Sequence, residues 1–581
     1  MYLIHNRRSK QRLLVIGMTC CILATTWPIR ADIPDNIDPS SSIPQIQVPE
    51  YAPQQPPTIN VPSIVKPSRI SSDGNTIIVN SVVFSGDKLL SEQQLQDKAA
   101  QFLRRPLDSA DVEDLRYQLT RLYIENGYIN SGAIIRGYDV QTKCLYIHLQ
   151  QGIIKDVDVH VTGRLNPEYI TGRLNSHGTN PLHLPTLQER FWLLNYDDPA
   201  IGSLTGDLVP SLIPGESILT VQAQSKDPFS ISLILDNYAP VTVGEKQGTV
   251  NITLRNLGNW GDVITLGFNS NADKKRYGFI DFNVPINYYD TRVHASYQRS
   301  TVSIVQPPLD ELDIESDYKA YTLGLTHPII RTPSRNVTLG VNINHKNNTT
   351  KLLDTPISFS QGYNERGESS ISTLNFTQYW SERTAYQAYA VHSTITFGGD
   401  FFGITETPAN SLNNNGQIDN HFVMWLLQQT YAKQWWNRRL QLLGRIDMQI
   451  VDSPLPSLQQ TAVGGANTVR GYRENTLVRD QMLLGSLELR YALLPSLLQG
   501  TYGRLEGAVF TDIAQAWNKD SRKGANLEDK VLHSIGVGLL WHWQQNIQAQ
   551  VYWGHQLKNL HIDKGGSWQE DGIHAKIQIT Y

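Results

Sequence analysis

The stretch Arg504-Leu505-Glu506-Gly507-Ala508-Val509-Phe510-Thr511-Asp512-Ile513 alternates between two kinds of side chain. Leu505, Val509 and Ile513 share one face of an extended chain, because successive side chains of a strand point to opposite faces. Arg504, Glu506 and Asp512 share the other face. Lipid accepts the first face, and only an aqueous lumen accepts the second. The same alternation in neighbouring stretches places Glu488, Arg490, Arg445, Asp447 and Gln449 inward and Leu487, Leu489 and Tyr491 outward. This pattern predicts a transmembrane β-barrel with a polar, ionic lumen.

Period-two alternation continues from residue 229 to the end of the chain. About sixteen strands are predicted, over 229–238, 247–257, 262–270, 275–285, 291–300, 318–326, 336–346, 367–380, 386–397, 418–432, 437–450, 481–492, 502–516, 530–543, 546–557 and 574–581. Tight connections near 258–261, 286–290, 381–385, 433–436 and 544–545 alternate with long ones near 301–317, 347–366, 398–417, 451–480 and 558–573. Turns on one side and loops on the other are typical of a bacterial outer-membrane barrel. Residues 227–581 are therefore predicted to form an antiparallel barrel.

The first 31 residues predict a signal peptide. A basic segment precedes an apolar run from Leu13 to Ala24, and Ala31 is the expected last residue removed. The alternative, a short membrane anchor, would need a longer apolar run. Cys20 and Cys21 leave with the signal, so Cys144 stands alone in the mature chain and is expected to be a small core residue.

Residues 32–74 predict an extended linker. Pro34, Pro39, Pro44 and Pro49 recur every five residues, a spacing that forbids a helix and favours a semi-rigid spacer. We therefore expect no helix in this segment that could plug the barrel.

Two compact α+β units are predicted between the linker and the barrel. In residues 75–151 a strand precedes two helices and two further strands, and Leu115, Leu119 and Tyr123 lie on one face of the second helix. Residues 152–226 repeat the plan, with helices near 166–174 and 187–195.

Composition excludes some functions. The 581 residues carry a net charge of -4, so no nucleic-acid partner is expected. After the first 30 residues no run of 18 apolar residues occurs, which excludes a helical membrane protein. No HExxH motif or phosphate-cradling loop is present, so we predict no enzyme activity, no metal site and no cofactor.

The long connection at 451–480 contains Gly464-Gly465-Ala466-Asn467-Thr468-Val469-Arg470-Gly471-Tyr472-Arg473-Glu474. Its glycines allow tight folding and positive φ. Between them stands Arg470, a fixed cation with a planar fork of donors. One interpretation is a glycine-rich hairpin tip with a solvated arginine. The other interpretation depends on a resemblance to a known family, in which such a loop folds back into the pore and its arginine pairs with an aspartate on the barrel wall.

Three features resemble the outer-membrane transporters of two-partner secretion, the haemolysin secretion/activation type of the POTRA-plus-barrel superfamily. Val469-Arg470-Gly471-Tyr472 resembles their signature pore loop. Phe510-Thr511-Asp512-Ile513-Ala514 resembles their second signature, Phe-x-Asp-x-Gly, with Ala514 in place of glycine. The β-α-α-β-β order of the two α+β units resembles POTRA domains. The resemblance implies that Arg470 pairs with Asp512, and that Ala514 makes close approach of the loop harder.

The resemblance also implies a function. The POTRA domains, with Tyr123, Gly127 and Tyr128 as substrate-binding residues, would capture an unfolded β-rich exoprotein that carries an amino-terminal secretion domain. The exoprotein would then thread the barrel. Expected further partners are outer-membrane lipid and the barrel-assembly machinery, which would recognise the terminal aromatic Tyr581. The POTRA domains would lie in the periplasm. Whether the exoprotein is an adhesin, a haemolysin, a contact-dependent toxin or a haem binder stays open.

Two alternatives compete with this hypothesis. A factor that inserts other barrels into the membrane would usually carry three to five POTRA domains, and two are predicted here. A passive porin would not explain residues 75–226.

Overall fold

The computed structural model describes residues 51, 59–61, 76–86, 88–176, 178, 180–272, 275–307, 309–357, 362–364, 366–399, 401, 418, 420–494, 502–519, 530–544, 546–558, 560 and 566–581. The predicted signal peptide, 1–31, lies outside these residues. So does the predicted linker, 32–74, except for Tyr51 and residues 59–61.

Sixteen long antiparallel strands close into a barrel in the described part of the chain. They are Phe229–Asp236, Gln247–Arg255, Val263–Ser270, Arg276–Pro285, Arg292–Ser303, Ile314–Arg331, Arg335–Leu352, Glu368–Arg383, Gln387–Gly399, Phe422–Trp435, Leu440–Val451, Gln481–Ala492, Arg504–Trp517, Lys530–Trp543, Ile547–Gln556 and Ile573–Thr580. The barrel's connections hold a short strand, Thr355–Pro356, and the 3-10 turns Val241–Val243, Leu309–Leu312 and Ser457–Gln459. The predicted fold class is confirmed.

The first and last strands pair to close the ring. Leu233 lies opposite Ile579. Beyond this register, Ile231 and Tyr581 donate backbone hydrogen bonds to each other, at 2.9 and 2.8 Å. Because each strand now has two neighbours, the barrel leaves no open sheet edge.

The predicted parity of the strands is confirmed. Val509 and Ile513 are 55% and 49% exposed on the outer surface, whereas Asp512 and Glu506 are 0% and 3% exposed inside. Apolar side chains therefore face the lipid and ionic ones face the lumen.

Two strands are longer than predicted. Ile314–Arg331 and Arg335–Leu352 extend past the predicted 318–326 and 336–346. Their added rungs pair polar residues, such as Asp317 with Thr349. Alternation between apolar and polar residues exists only where one face meets lipid, so the polar extension beyond the membrane left no period-two signal.

The first α+β unit contains strands Ser81–Gly86, Gly132–Asp139 and Cys144–Gln150 and helices Glu92–Ala100 and Ser109–Glu125. A short ladder joins Ile77–Ile78 to Pro106–Leu107. Ser91 and Asp108 each form a capping box, which satisfies backbone N–H groups at both helix starts. Cys144 is buried in the sheet, as expected.

The second unit contains strands Ile153–Thr162, Ile201–Pro210 and Glu216–Ser225, helices Pro167–Asn175 and Leu184–Trp192, and a π turn, Leu193–Asp197. Ile59–Asn60 adds a parallel strand to the edge formed by Ile201–Pro210. None of the helices in the described ranges is both long and apolar enough to cross a membrane.

The second unit docks onto the end of the barrel that carries the tight turns. Arg173 donates to Asp290 at 2.9 Å, and Asp290 also accepts from Arg292 at 3.0 Å and Arg331 at 2.6 Å. Burial acts to raise the pKa of Asp290, but the three arginines outweigh it and hold that pKa below its ordinary value. This charge cluster fixes the second unit over the mouth of the lumen.

Candidate functional site: the pore loop and its seat on the barrel wall

The loop 451–480 folds back into the barrel. Thr461–Val463 pairs with Leu477–Arg479 as a short hairpin, and Gly464, Gly465 and Gly471 take positive φ values of 109°, 105° and 94° near its tip. The tip packs against the wall in an apolar cluster that contains Val463, Val469, Tyr472, Leu477, Leu426, Met482, Leu484, Ala514, Ala516 and Leu532. The loop is therefore anchored in the lumen, and the solvated-hairpin interpretation is wrong.

Arg470 contacts Asp512 with three donors. Its backbone N–H and its Nε donate to Oδ2 at 3.0 and 2.8 Å, and Nη2 donates to Oδ1 at 2.9 Å. The two side chains are 9% and 0% exposed. Charge-assisted bidentate pairs are among the strongest polar contacts in proteins, and more so away from water. The structure thus brings together the two residues that the family resemblance paired.

Glu488, which the sequence placed inside the lumen but did not pair, is a second partner of Arg470. It accepts from Nη1, and it also accepts from Arg490 Nε and from the Tyr552 hydroxyl. The guanidinium carbon of Arg470 lies 3.6 Å from the centre of the Phe510 ring and 4.8 Å from that of Tyr552. Phe510 of the second signature therefore covers the arginine that Asp512 binds.

Three glycines make the closest approach between loop and wall. A methyl group on Gly554 would lie 2.7 Å from the Gly471 nitrogen, and one on Gly572 would lie 2.1 Å from the Gly554 oxygen. The Gly471 N–H donates to His574 Nε2 at 3.1 Å. The loop backbone rests directly on the strand Ile547–Gln556. Ala514 lies in the apolar cluster, so its methyl group does not obstruct the loop at the contact that needs glycine.

The segment before the last strand holds the other side of the loop. Arg473 pairs with Glu570, and the Glu474 N–H donates to Gln569 Oε1 at 2.9 Å. Gln569 Nε2 in turn donates to backbone oxygens of Asn237 and Ala239, beside the first strand. Sequence reasoning missed Gln569 and Glu570, because they lie in a predicted long loop with no period-two signal.

Tyr123, Gly127 and Tyr128 do not form an exposed binding surface. Tyr123 is 1% exposed and belongs to the core of the first unit, so its assignment to substrate binding is wrong. The Gly127 oxygen accepts from the Leu184 N–H at 2.9 Å, and Tyr128 packs on His183 with ring centres 5.0 Å apart. These residues join the two α+β units.

Among its described residues, the predicted linker makes two contacts that the sequence did not predict. Besides the strand at Ile59–Asn60, the Tyr51 hydroxyl accepts from Gln441 Nε2 at 3.0 Å. Gln441 lies opposite Arg490 on the lumen side of the barrel. The linker therefore reaches the barrel mouth at Tyr51.

A closed barrel, two POTRA-like units at its mouth and an arginine-anchored loop in its lumen define a transporter of the POTRA-plus-barrel class. Comparison with known families agrees. The profile described as haemolysin secretion/activation protein ShlB/FhaC/HecB matches residues 215–540, and the ShlB-type POTRA domain matches residues 77–152. The chain belongs to the ShlB/FhaC/HecB family of haemolysin secretion/activation proteins.

Individual relatives are distant but cover most of the chain. The haem/hemopexin transporter protein HuxB of Haemophilus influenzae is 22% identical over 462 residues, 77% of this chain and 78% of that protein. The hemolysin transporter protein HpmB of Proteus mirabilis is 21% identical over 429 residues, 71% of this chain and 72% of that protein. The solved structure of CdiB from Escherichia coli is similar with a TM-score of 0.66 at 17% identity, over 89% of this chain and 93% of that one.

The family match decides between the functional hypotheses. This chain is an outer-membrane transporter of two-partner secretion, with its POTRA domains in the periplasm, rather than a barrel-assembly factor. Its family serves secreted exoproteins.

Proposed function

We propose that this transporter binds its exoprotein as an unfolded chain at the POTRA domains and passes it through the lumen, where the loop around Arg470 must leave its seat. The observation that supports this proposal is the way in which Arg470 is held on the barrel wall. Arg470 is held by carboxylates and aromatic rings, not by continuous sheet pairing, so the contact can break and re-form without unfolding the barrel.

Strand addition is the proposed mode of capture. The sheet of the second unit already accepts a parallel strand, Ile59–Asn60, along the edge of Ile201–Pro210. The opposite edge, Ile153–Thr162, carries Lys155, Asp158 and His160, charges of the kind that discourage pairing. The substrate would therefore take the edge of Ile201–Pro210 in place of Ile59–Asn60. Main-chain hydrogen bonds at such an edge bind extended segments with little regard to sequence, which suits an unfolded substrate.

The remaining expectations belong to the same proposal. The substrate carries an amino-terminal secretion domain, the barrel-assembly machinery recognises the strand that ends at Tyr581, and the signal peptide ends at Ala31. Movement needs no nucleotide, metal or catalytic residue of this chain, because folding outside the cell biases the direction. The proposed domain boundaries are 75–151, 152–226 and 227–581.

A secretion assay tests the proposal. Cells that express the exoprotein with the intact chain should release it to the medium, and a chain lacking 76–151 should leave it in the periplasm. This deletion keeps the second unit on the barrel, where Arg173 and Asp290 hold it. A heat-modifiable barrel in both strains shows correct assembly. Full release without the first POTRA domain would contradict its role in capture.

A further inference from the structure

A cluster of positive charge lies on the outer surface of the barrel at the end opposite the POTRA domains. Three consecutive strands carry Arg276, Arg299 and Lys319. Arg299 lies directly opposite Lys319. Arg276 lies opposite Thr301, which is two residues beyond Arg299 on the same strand. Parity places all three on the face that also carries Leu323 and Leu325, which are 58% and 44% exposed. The cluster therefore faces the membrane, not the lumen.

The cluster sits at the height of lipid headgroups. Tyr297 and Tyr321 pack together with ring centres 5.0 Å apart, two residues closer to the membrane centre than Arg299 and Lys319. Aromatic girdles mark the membrane–water interfaces of such barrels. Two residues of strand span about 7 Å, which places the cations just beyond the acyl region.

A depression opens beside these cations. Gly278 lies opposite Arg299, and a methyl group added to it would meet only the Gly267 oxygen, at 3.7 Å. Phe268, Ile280 and Tyr297 line the same cavity of about 570 Å³. Its floor is bare backbone, its walls are apolar, and its rim is cationic.

The charge balance of the cluster favours an anion. Asp317 accepts from Arg299 Nε and Nη2 at 3.1 and 3.2 Å, and lies 3.6 Å from Lys319 Nζ. Among the described residues, these three cations and one carboxylate leave two positive charges at a lipid-facing position, and Glu315, further out on the same face, lies opposite Lys351 in register. At the opposite rim, the outward Arg335 is paired one to one with Glu382. The excess of positive charge therefore belongs to the cluster of Arg276, Arg299 and Lys319 and is not shared by the outward arginine Arg335 at the opposite rim.

We propose that Arg276, Arg299 and Lys319 bind a phosphate group of an outer-leaflet glycolipid, and that one of its acyl chains covers the depression on the membrane side of Gly278, beside Ile280 and Tyr297. Guanidinium groups bind phosphate oxygens with paired hydrogen bonds, and lysine adds a point charge. Phosphorylated glycolipid fits because it presents an anion and an acyl chain together in this leaflet. The site is independent of the pore loop and of exoprotein binding.

Native mass spectrometry of the full-length barrel tests the proposal. Protein extracted from phosphatidylcholine vesicles that contain a bisphosphorylated glycolipid should retain it, and the same glycolipid without phosphates should be retained at least about tenfold less. The double variant Arg299→Ala/Lys319→Ala should lose the phosphorylated lipid to a similar degree. Gly278→Leu fills the depression, keeps every charge, and should also lose it.

Arg335→Ala is the matched control, because it removes an outward arginine at the opposite rim. It should retain the glycolipid at the wild-type level. Heat-modifiability of each variant shows that the barrel is folded. Equal retention of phosphate-free glycolipid, wild-type retention by the double variant, or an equal loss in Arg335→Ala would each overturn the proposal.

Discussion

Replacing Arg470 with alanine should free the pore loop from the wall. The change leaves two buried carboxylates without the guanidinium that bridges them. Glu488 keeps Arg490, but Asp512 keeps only neutral donors among the described contacts, the Ser486 hydroxyl at 2.7 Å and the backbone N–H of position 470. The loss therefore falls mainly on Asp512.

The magnitude follows from this burial. Removing one partner of a buried ion pair costs about 3–5 kcal/mol, because the remaining charge is uncompensated. Each 1.4 kcal/mol is about a tenfold change in an equilibrium constant, so the docked state of the loop should lose roughly 10²- to 4 × 10³-fold in population. Asp512→Ala should have a similar effect, and the double variant should be little worse than either single one, because the two residues act as one contact.

Single-channel conductance in planar bilayers measures how far the loop obstructs the lumen, and release of the exoprotein to the medium measures secretion. Arg470→Ala should conduct more, because the loop leaves the lumen wall. It should export far less, because under the proposal each cycle of export needs the Arg470–Asp512 contact to re-form as well as to break, and it should still run as a heat-modifiable barrel. Arg504→Ala is the matched control, since Arg504 also pairs with a lumen carboxylate, Glu506, without contacting the loop. Wild-type conductance together with full export by Arg470→Ala would refute the reasoning.

Three further predictions concern the glycine contact of the loop, the docking of the second POTRA domain and the amino-terminal segment. Gly554→Ala should displace the loop and raise conductance, because its methyl group meets loop backbone. Gly444→Ala should not, because the nearest atom to its methyl group is Leu487 Cδ1, at an ordinary contact distance of 4.0 Å. Limited proteolysis should show that docking of the second POTRA domain is constant at neutral pH and weakens only below about pH 4. The pKa of Asp290 is held below its ordinary 3.8, so the stabilising charge of Asp290 is present above pH 3.8 and is lost as pH falls through the folded-state pKa. Deleting 32–60 should change conductance only slightly, whereas trimming Gly464–Glu474 should enlarge it markedly; a large channel after the first deletion would show that the amino-terminal segment plugs the pore.

The strands could be predicted because they depend on a local regularity, whereas the Arg470–Asp512 contact was predicted from the resemblance of two motifs to a family's signatures. Parity along a strand fixes which side chains meet in the lumen, and the glycine-flanked arginine marks the loop that reaches them. The same parity correctly placed Glu488 in the lumen. Its contact with Arg470 could not be predicted, because it depends on how far the loop extends into the lumen, and the sequence of one strand does not determine that. Gly554 and Gly572 were missed for this reason too, since a glycine signals a close approach only once the approaching backbone is known.

The wrong assignment of Tyr123 shows the reverse case. Its helix repeats apolar residues at Leu115, Leu119 and Tyr123, a spacing that directs all three into the core. This periodicity was visible in the sequence and outweighs the substrate-binding role that the family resemblance implied for Tyr123. Gly127 and Tyr128, just past the helix, were not separable from surface residues by sequence, because their contacts come from the second unit.

The path of the exoprotein is the central claim, and photo-crosslinking from one strand tests it most directly. Glu506 faces the lumen and Val509 faces lipid, three residues apart on the same strand. A photo-reactive residue at position 506 should crosslink to the exoprotein during export, and one at position 509 should not. Crosslinks from position 509, or none from position 506 while export proceeds, would contradict passage through the barrel.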